Sequence, residues 1–299
     1  MLKEFLANFV EQHQLPKVFT KTAIKFYAPL AERLRGKLGD QTYVLGINGS
    51  QGAGKSTLAD FLKQYLEQLH NLNVVCLSID DIYLTRAERQ SCAQSIHPLL
   101  ATRGVPGTHD VSLGLELIDG LKTLAEGQQL MIPRFDKLAD DRCPAEQYDQ
   151  AQGPVDLVIF EGWCVGSLAQ SADQLKEPVN SLESEEDTDG RWRYFVNQKL
   201  EQEYARLFGN LDSLIMLKAP SFDLIFEWRL KQEQKMADTL SAVTGADMPL
   251  AMNQDEILRF IQHYERITRH NLAVLPEIAD VLLELGEDHQ VSTASYRSF

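Results

Sequence analysis

Residues 43–57 read YVLGINGSQGAGKST, and this stretch decides the fold of the chain. The apolar, β-rich run at 43–47 is typical of a strand that is buried on both faces. Residues 49–56 follow it and match the pattern G-x-x-x-x-G-K-[ST]. From Leu58 onward, apolar residues recur in steps of three and four, which indicates one face of a helix. A glycine-rich loop that joins a buried strand to a helix is the arrangement that binds phosphate groups.

This loop predicts a site for a nucleoside triphosphate. Its glycines let successive backbone N–H groups point at phosphate oxygens, and the following helix presents its positive N-terminal end to the same charge. We expect Lys55 to bridge the β- and γ-phosphates and Ser56 to bind Mg²⁺. The competing interpretation, a glycine turn with an exposed lysine, does not require Gly-Lys-Ser at these offsets. The cofactors that we predict are ATP and Mg²⁺, bound by Gly49, Ser50, Gln51, Gly52, Ala53, Gly54, Lys55, Ser56 and Thr57.

Outward from the loop, strand-like apolar runs alternate with helical patterns. Further strands are predicted at 74–79, 130–132, 155–160, 214–217 and 281–285, and helices around 112–126, 192–208, 221–237 and 253–270. Such alternation predicts an α/β fold of three layers, the P-loop NTPase fold, with a mostly parallel central sheet. Two helical patterns precede residue 40, so we expect a helical N-terminal extension at 1–40. Residues 41–299 would then form the phosphate-binding domain, with a helical lid.

Acidic residues directly follow two of the predicted strands. Asp80 and Asp81 come after the strand at 74–79, and Glu161 comes after the strand at 155–160. Ligands of open α/β sheets bind outside the carboxyl ends of the strands, so these acids can face the γ-phosphate and its metal. We assign Glu161 to the Mg²⁺ site and Asp80 to the acceptor hydroxyl, as the catalytic base. Asp81 is either a substrate contact or the N-cap of the next segment.

Two loop-like segments carry the candidate substrate contacts. Residues 103–110, RGVPGTHD, and 133–137, PRFDK, are rich in Gly, Pro and mixed charge. Guanidinium groups match carboxylates or phosphates, so the cations here, Lys137 included, suit an anionic or hydroxylated substrate; surface solvation is the alternative for each. The substrate residues that we assign are Asp81, Tyr83, Arg103, His109, Asp110, Arg134, Asp136 and Arg142.

Arg229 belongs to the helical pattern that follows the strand at 214–217. We expect it to reach over the phosphates as a cation of the lid and to act in catalysis with Lys55 and Asp80. The alternative is a helix cation that faces solvent, and this alternative predicts little kinetic effect when Arg229 is replaced.

Composition restricts the partners. Asp and Glu exceed Lys and Arg and give a net charge of −14, which disfavours nucleic acid. Membrane insertion is also disfavoured, because no run of 18 apolar residues exists, and the four cysteines show no metal-site spacing. We therefore expect a cytoplasmic protein whose partner is a small molecule. The segment 177–190, EPVNSLESEEDTDG, is strongly acidic and predicts a mobile surface insert.

Five motifs together resemble the D-glycerate 3-kinase family. They are SIDDIY at 78–83, RGVPGTHD at 103–110, PRFDK at 133–137, FEGW at 160–163 and WRLKQE at 228–233. This family belongs with the phosphoribulokinase, uridine kinase and pantothenate kinase group of P-loop kinases. The resemblance implies ATP-dependent phosphorylation of the 3-hydroxyl of D-glycerate, with Asp80 in the position of the acid that the wider group uses as base.

Two alternatives stay open from the sequence. A kinase of the same fold could act on pantothenate, uridine or a phosphosugar, and a non-catalytic ATP-binding switch or scaffold could act through the acidic insert. Uridine is neutral and would require an aromatic stacking wall, whereas glycerate requires a cationic anchor. The arginine-bearing loops therefore favour an acid as the substrate.

Overall fold

The fold is built around the strand that precedes the phosphate loop. A computed structural model describes residues 1–231, 254–297 and Phe299. Its main sheet contains β1 (Tyr43–Gly49), β2 (Val74–Ser78), β7 (Leu157–Gly162), β8 (Ser213–Lys218), β9 (Val281–Leu285) and β10 (Val291–Tyr296). The strand order is β10-β9-β8-β1-β7-β2, and every pair is parallel except β9 with β10. The strand of the phosphate loop therefore lies inside the sheet, as its apolar sequence predicts.

Helices cover both faces of this sheet. They are α1 (Leu2–Gln12), α2 (Phe19–Thr22), α3 (Ala28–Arg35), α4 (Lys55–His70), α5 (Arg86–Ser95), α6 (Val111–Lys122), α7 (Ser181–Glu186), α8 (Arg191–Lys199), α9 (Ala205–Phe208), α10 (223–231, the last residue before the gap) and α11 (Gln254–Ile278). None of these described helices is both long and apolar enough to cross a membrane.

The core has two parts, because side chains of a strand alternate between the two faces of a sheet. In β1, Leu45 and Ile47 pack with α4 and the N-terminal helices, whereas Val44 packs on the opposite face. In β7, Ile159 and Phe160 divide between the two faces in the same way. This arrangement confirms the predicted α/β fold of three layers with a mostly parallel sheet.

Some sequence-based boundaries change in the structure. The strand predicted at 130–132 is present as β3 (Gln129–Ile132), but it pairs antiparallel with β6 (Asp149–Gln152) outside the main sheet. A second small hairpin joins β4 (Phe135–Asp136) to β5 (Asp141–Arg142). The helix predicted at 221–237 is present from residue 223, and its residues 232–237 lie outside the described residues.

The acidic segment 177–190 differs from the expected solvated insert. Residues 181–186 form helix α7, and the carboxylates of Glu183 and Asp187 are buried. Glu183 pairs with Arg266 and Asp187 pairs with Arg193, and both arginines are also buried. Buried charges require such partners. The sequence pattern alone does not show which distant cations face these acids.

Candidate active site

The phosphate loop has the backbone conformation that an anion cradle needs. Gly52 and Gly54 have φ angles of +78° and +87°, a region that residues with a Cβ rarely adopt. Helix α4 begins at Lys55, so its N-terminal amides open onto the loop. The Lys55 ammonium donates to the Ser50 carbonyl at 3.0 Å. The buried Ser50 hydroxyl has no hydrogen-bond partner among the residues that the structure describes, which fits a loop shaped to receive phosphate oxygens.

Ser56, in the first turn of α4, contacts Glu161 near the end of β7. The Ser56 hydroxyl donates to Glu161 Oε1 at 2.7 Å. Burial raises the pKa of Glu161, while the Lys55 ammonium and the Ser56 hydrogen bond oppose that rise. Within the described ranges, no group of three or more His, Cys, Asp or Glu side chains could hold a metal. A hydroxyl and a carboxylate suit Mg²⁺, which takes its remaining ligands from water and substrate phosphates.

Asp80 stands in the short turn Ile79–Ile82 that follows β2, in the cleft that the phosphate loop also lines. Its Oδ1 accepts a hydrogen bond from the Tyr83 hydroxyl at 2.7 Å, and its Oδ2 accepts one from the Lys137 ammonium at 2.6 Å. Burial raises the pKa of Asp80, but Lys137 and Tyr83 lower it by more, so the pKa lies below the ordinary value. The carboxylate is therefore ionised at neutral pH.

The cleft that joins these groups has a volume of about 390 Å³. It gathers four cations in a chain of net charge −14: Lys55, Arg103, Lys137 and Arg229. Arg103 pairs with Asp140 and donates to the Lys137 carbonyl at 3.3 Å, while Arg229 lies 5.5 Å from the ring centroid of Phe260. Burial lowers the pKa of Lys55, and the Glu161 and Asp80 carboxylates oppose that effect. The cleft is thus suited to anionic ligands.

Several residues that the sequence assigns to the site line this cleft. From the loop these are Gln51, Gly52, Gly54, Lys55, Ser56 and Thr57, and from the other segments they are Asp80, Tyr83, Arg103, Glu161 and Arg229. Gly49, Ser50 and Ala53 belong to the same loop and shape it through their backbone. The roles given to these residues stay predictions.

Five assigned substrate residues are directed elsewhere in the described structure. Arg134 pairs with Asp81 and Asp149. Arg142 donates to the Tyr83 carbonyl at 3.0 Å and pairs with Asp110, and Asp110 also accepts from the Leu113 amide as the N-cap of α6. Asp136 accepts from the amides of Leu138 and Ala139. These contacts shape the hairpin and loops that carry the cleft residues.

His109 lies behind Tyr83, with which its ring stacks at a centroid distance of 4.6 Å. Its Nδ1 is 2.6 Å from the Tyr204 hydroxyl. Burial lowers the pKa of His109 to about 3, although Asp80 opposes the shift, so the imidazole is neutral. Among the described residues, His109 therefore lies behind the cleft lining, and its contact with the substrate stays a prediction.

The sequence assignment misses three aromatic residues of the cleft: Trp163, Phe260 and Tyr264. Trp163 is the first residue after β7, which ends at Gly162. Its position directly after a buried strand is therefore a sequence signal that could have placed it at the cleft. Phe260 and Tyr264 are four residues apart in α11, and that spacing is also typical of an ordinary core face. Only the tertiary structure brings them to the cleft.

Comparisons with known proteins agree with this geometry. No family model matches the chain. An uncharacterized kinase of Schizosaccharomyces pombe, mug58, is 34% identical over 237 residues, which cover 74% of this chain and 78% of that protein. The chloroplastic D-glycerate 3-kinase of Arabidopsis thaliana is 30% identical over 229 residues and 74% of this chain, which spans about half of that protein, 46%.

A solved structure shows the same architecture. The D-glycerate 3-kinase of Cryptococcus neoformans var. grubii superposes with a TM-score of 0.73 at 25% identity, over 94% of this chain and 100% of the other. The fold and the phosphate-loop cleft, together with these relatives, define a P-loop kinase, an ATP-dependent phosphotransferase with an alcohol group as acceptor. Within that class, the chain belongs to the D-glycerate 3-kinase family.

Proposed function

We propose that this kinase transfers the γ-phosphoryl group of Mg-ATP to the 3-hydroxyl of D-glycerate and forms 3-phosphoglycerate. One observation carries the proposal: the cleft of the phosphate loop also contains the Asp80 carboxylate and the cations Arg103 and Lys137. A hydroxy acid presents a hydroxyl for the carboxylate and a carboxylate for the cations. The relatives whose names include D-glycerate 3-kinase support this substrate.

The phosphate loop binds the nucleotide. Its amides and the Lys55 ammonium would contact the phosphate tail, and Ser56 with Glu161 would hold Mg²⁺. When bound, Mg²⁺ neutralises part of the charge on the transferring phosphoryl group. Lys55 supplies positive charge at the same place and requires no rearrangement, because its position is already fixed by the Ser50 carbonyl.

Asp80 would orient the acceptor hydroxyl and accept its proton. Phosphoryl transfer depends mainly on positioning and charge stabilisation, so an ionised carboxylate with a low pKa is sufficient. Both Asp80 oxygens are occupied by Tyr83 and Lys137. Lys137 is exposed and can turn from Asp80 toward the substrate carboxylate, which frees one oxygen for the hydroxyl. Arg103 would be the second anchor of that carboxylate.

The acceptor is tested by an ATP-consumption assay over a matched panel: D-glycerate, L-glycerate, glycerol, lactate, pantothenate, uridine and a phosphosugar. We expect consumption with D-glycerate and none with glycerol, which has the hydroxyls without the carboxylate. Phosphorus NMR of the product then identifies the hydroxyl that bears phosphate. The Asp80→Asn variant is the catalytic control and should lose turnover by about 100-fold or more while it stays folded. Turnover that prefers glycerol, pantothenate or uridine would refute the proposal.

A further inference from the structure

The acidic segment 177–190 is attached to helix α11 by a buried ion pair. Arg266 donates from Nε to Glu183 Oε1 at 2.7 Å and from Nη2 to Glu183 Oε2 at 2.6 Å. Glu183 is 1% exposed and Arg266 is 7% exposed. Arg266 also donates to the carbonyls of Gln174 and Glu177 at 2.8 and 2.7 Å. The guanidinium thus binds the segment through its carboxylate and its backbone at once.

Further bonds join the same two elements. Asn180 donates to the Gln262 carbonyl and to Glu265, both at 3.0 Å, and Gln262 donates to the Ser181 hydroxyl at 2.9 Å. Near the start of α11, Arg259 pairs with Glu186 at 2.6 Å. Residues 259, 262 and 266 are spaced by three and four, so they lie on one face of the helix. The acidic segment therefore holds that face along two turns.

Tyr264, on the same helix, reaches the catalytic cleft. Its hydroxyl donates to the Arg103 carbonyl at 3.0 Å. Gly104 is so close to its ring that a Cβ at Gly104 would lie 2.0 Å from the Tyr264 hydroxyl oxygen. Trp163 completes the support, because its Nε1 donates to the Gly104 carbonyl at 2.8 Å and its ring meets that of Tyr264 edge-on at 4.8 Å. The backbone of Arg103 and Gly104 is fixed by these two aromatic residues.

We infer that Glu183 and Arg266 are positioning residues for the acceptor site, which act on Arg103 through α11 and Tyr264. The inference rests on the proposed function in one respect, because that proposal gives Arg103 the substrate carboxylate. The ion pair sets where α11 lies, α11 places Tyr264, and Tyr264 sets the backbone from which the Arg103 guanidinium enters the cleft. The acidic segment is thus part of substrate recognition although it does not line the cleft.

The burial of the pair explains why it can act over this distance. Two buried charges in a bidentate geometry tolerate little displacement, since a small shift leaves one of them desolvated without its partner. Loss of either charge would therefore move α11 or admit water beside it. The phosphate loop is held by other elements, β1 and α4. The effect should consequently fall mainly on the acceptor, and a smaller effect is expected on the nucleotide side, where Phe260 of α11 lies 5.5 Å from the Arg229 guanidinium.

The test compares Glu183→Gln and the milder Arg266→Lys with a matched control, Glu186→Gln, which breaks the exposed pair on the same helix face. We expect the KM for D-glycerate to rise about tenfold in the first two variants, with the KM for Mg-ATP changed less than about twofold. Tyr264→Phe should have the same effect, and its combination with Arg266→Lys should be no worse than either alone, because both act on one path. Equal rises in both KM values, or additive effects in the double variant, would overturn the inference.

A second measurement needs no substrate and separates this inference from the proposed function. Hydrogen exchange of the full-length chain should show faster exchange at residues 103–108 in Arg266→Lys than in the parent, with residues 49–57 unchanged. Unchanged exchange at 103–108 would overturn the inference even if D-glycerate is the substrate. Faster exchange there, in a protein that fails to phosphorylate D-glycerate, would sustain the positioning role and refute only the substrate. If Glu183→Gln does not fold, the KM values of Arg266→Lys and Tyr264→Phe test the inference instead.

Discussion

At the scale of single residues, the arginines of the two substrate loops are distinguished by their partners. Arg103 and Arg134 both follow the sequence pattern expected of a carboxylate anchor. The structure places Arg103 in the cleft beside Asp140, while Arg134 lies between Asp81 and Asp149. An arginine held by two carboxylates has little capacity left for a third anion. The contribution to substrate binding should therefore come from Arg103.

The variants Arg103→Gln and Arg134→Gln test this distinction. Loss of a hydrogen-bonded charge costs about 1.5–3 kcal/mol, so Arg103→Gln should raise the KM for D-glycerate by about 10- to 100-fold. Arg134→Gln should leave that KM nearly unchanged and lower the melting temperature instead, because it leaves Asp81 half-paired. Steady-state kinetics and thermal melting on the same preparations give both readouts. A larger KM effect from Arg134→Gln would contradict the structural assignment.

Tyr83 determines part of the acidity of Asp80. Its hydroxyl donates to Asp80 Oδ1, and this hydrogen bond is one of the causes that hold the Asp80 pKa below its ordinary value. Tyr83→Phe removes the donor and keeps the ring that stacks on His109. The carboxylate should then ionise at higher pH, because its charged form has lost a stabilising contact.

We expect the acidic limb of the pH profile of kcat/KM to move to higher pH in Tyr83→Phe, because the Asp80 pKa rises when the hydrogen bond from Tyr83 is lost. At pH 8, where Asp80 is ionised in both proteins, the two activities should approach each other. The measurement is a series of kcat/KM values from about pH 3.5 to pH 8, because the acidic limb of the parent lies below the ordinary carboxylate pKa of about 3.9. A uniform loss at every pH would show that Tyr83 contacts the substrate directly, as the sequence alone predicts.

At the scale of elements, the loop 103–110 depends on a histidine that stays neutral. Burial holds the pKa of His109 at about 3, whereas an unfolded histidine titrates near about 6.5. Between these values the unfolded chain binds the proton and the native chain does not. The free energy of unfolding therefore falls as the pH falls through this window, by about 1.4 kcal/mol per pH unit for this group.

The variant His109→Asn isolates this contribution, because the asparagine oxygen can still accept a hydrogen bond from Tyr204. Urea unfolding at pH 7, 6, 5 and 4.5 should give a flatter pH dependence for the variant than for the parent. The difference between the two curves removes groups common to both, including His263, whose pKa burial lowers to about 4. Parallel curves would mean that native His109 binds its proton as readily as the unfolded chain does, and would contradict a lowered pKa.

The elements that the sequence predicts well are those whose burial is visible in a local pattern. The strand predicted at 281–285 is β9, and the strand at 43–47 is the first part of β1. Buried parallel strands are apolar on both faces, so a short window contains the whole signal. The prediction of a solvated insert at 177–190 differs from the structure for the opposite reason. Glu183 is separated from Arg266 by more than eighty residues, and no local window shows that a buried cation neutralises it.

The candidate site also has a part that a local sequence pattern predicts and a part that it does not. The nucleotide half is a contiguous motif, and its glycines, lysine and serine are found by their spacing alone. The acceptor half is assembled from separate segments, which bring Asp80, Arg103, Lys137 and Tyr264 together. The sequence finds Asp80 by its position after a strand. Which of several arginines enters the cleft depends on long-range ion pairs, and the sequence leaves that choice open.

At the scale of the whole molecule, the N-terminal helices share a core with the phosphate-binding helix. Phe5, Phe9 and Phe19 are buried and surround Phe61 of α4, with ring centroids 5.3–6.4 Å from it. Helix α4 also carries Lys55 at its first position. The aromatic cluster therefore packs against α4, the helix whose N-terminal end faces the phosphate loop.

This packing predicts that residues 1–40 are required for the stability of the kinase fold. Phe9, at 1% exposure, should cost about 3–5 kcal/mol when replaced by alanine, since a large cavity opens beside Phe61. Ile24→Ala is the matched control, because Ile24 is 53% exposed and its loss should cost less than about 0.5 kcal/mol. Urea unfolding followed by circular dichroism measures both.

If the extension were an independent appendage, Phe9→Ala would leave the unfolding midpoint of the sheet unchanged. ATP binding would then be as tight in Phe9→Ala as in the parent at temperatures near the melting point. We expect instead that the midpoint falls and that ATP binding is lost in the same transition, because α4 is common to both.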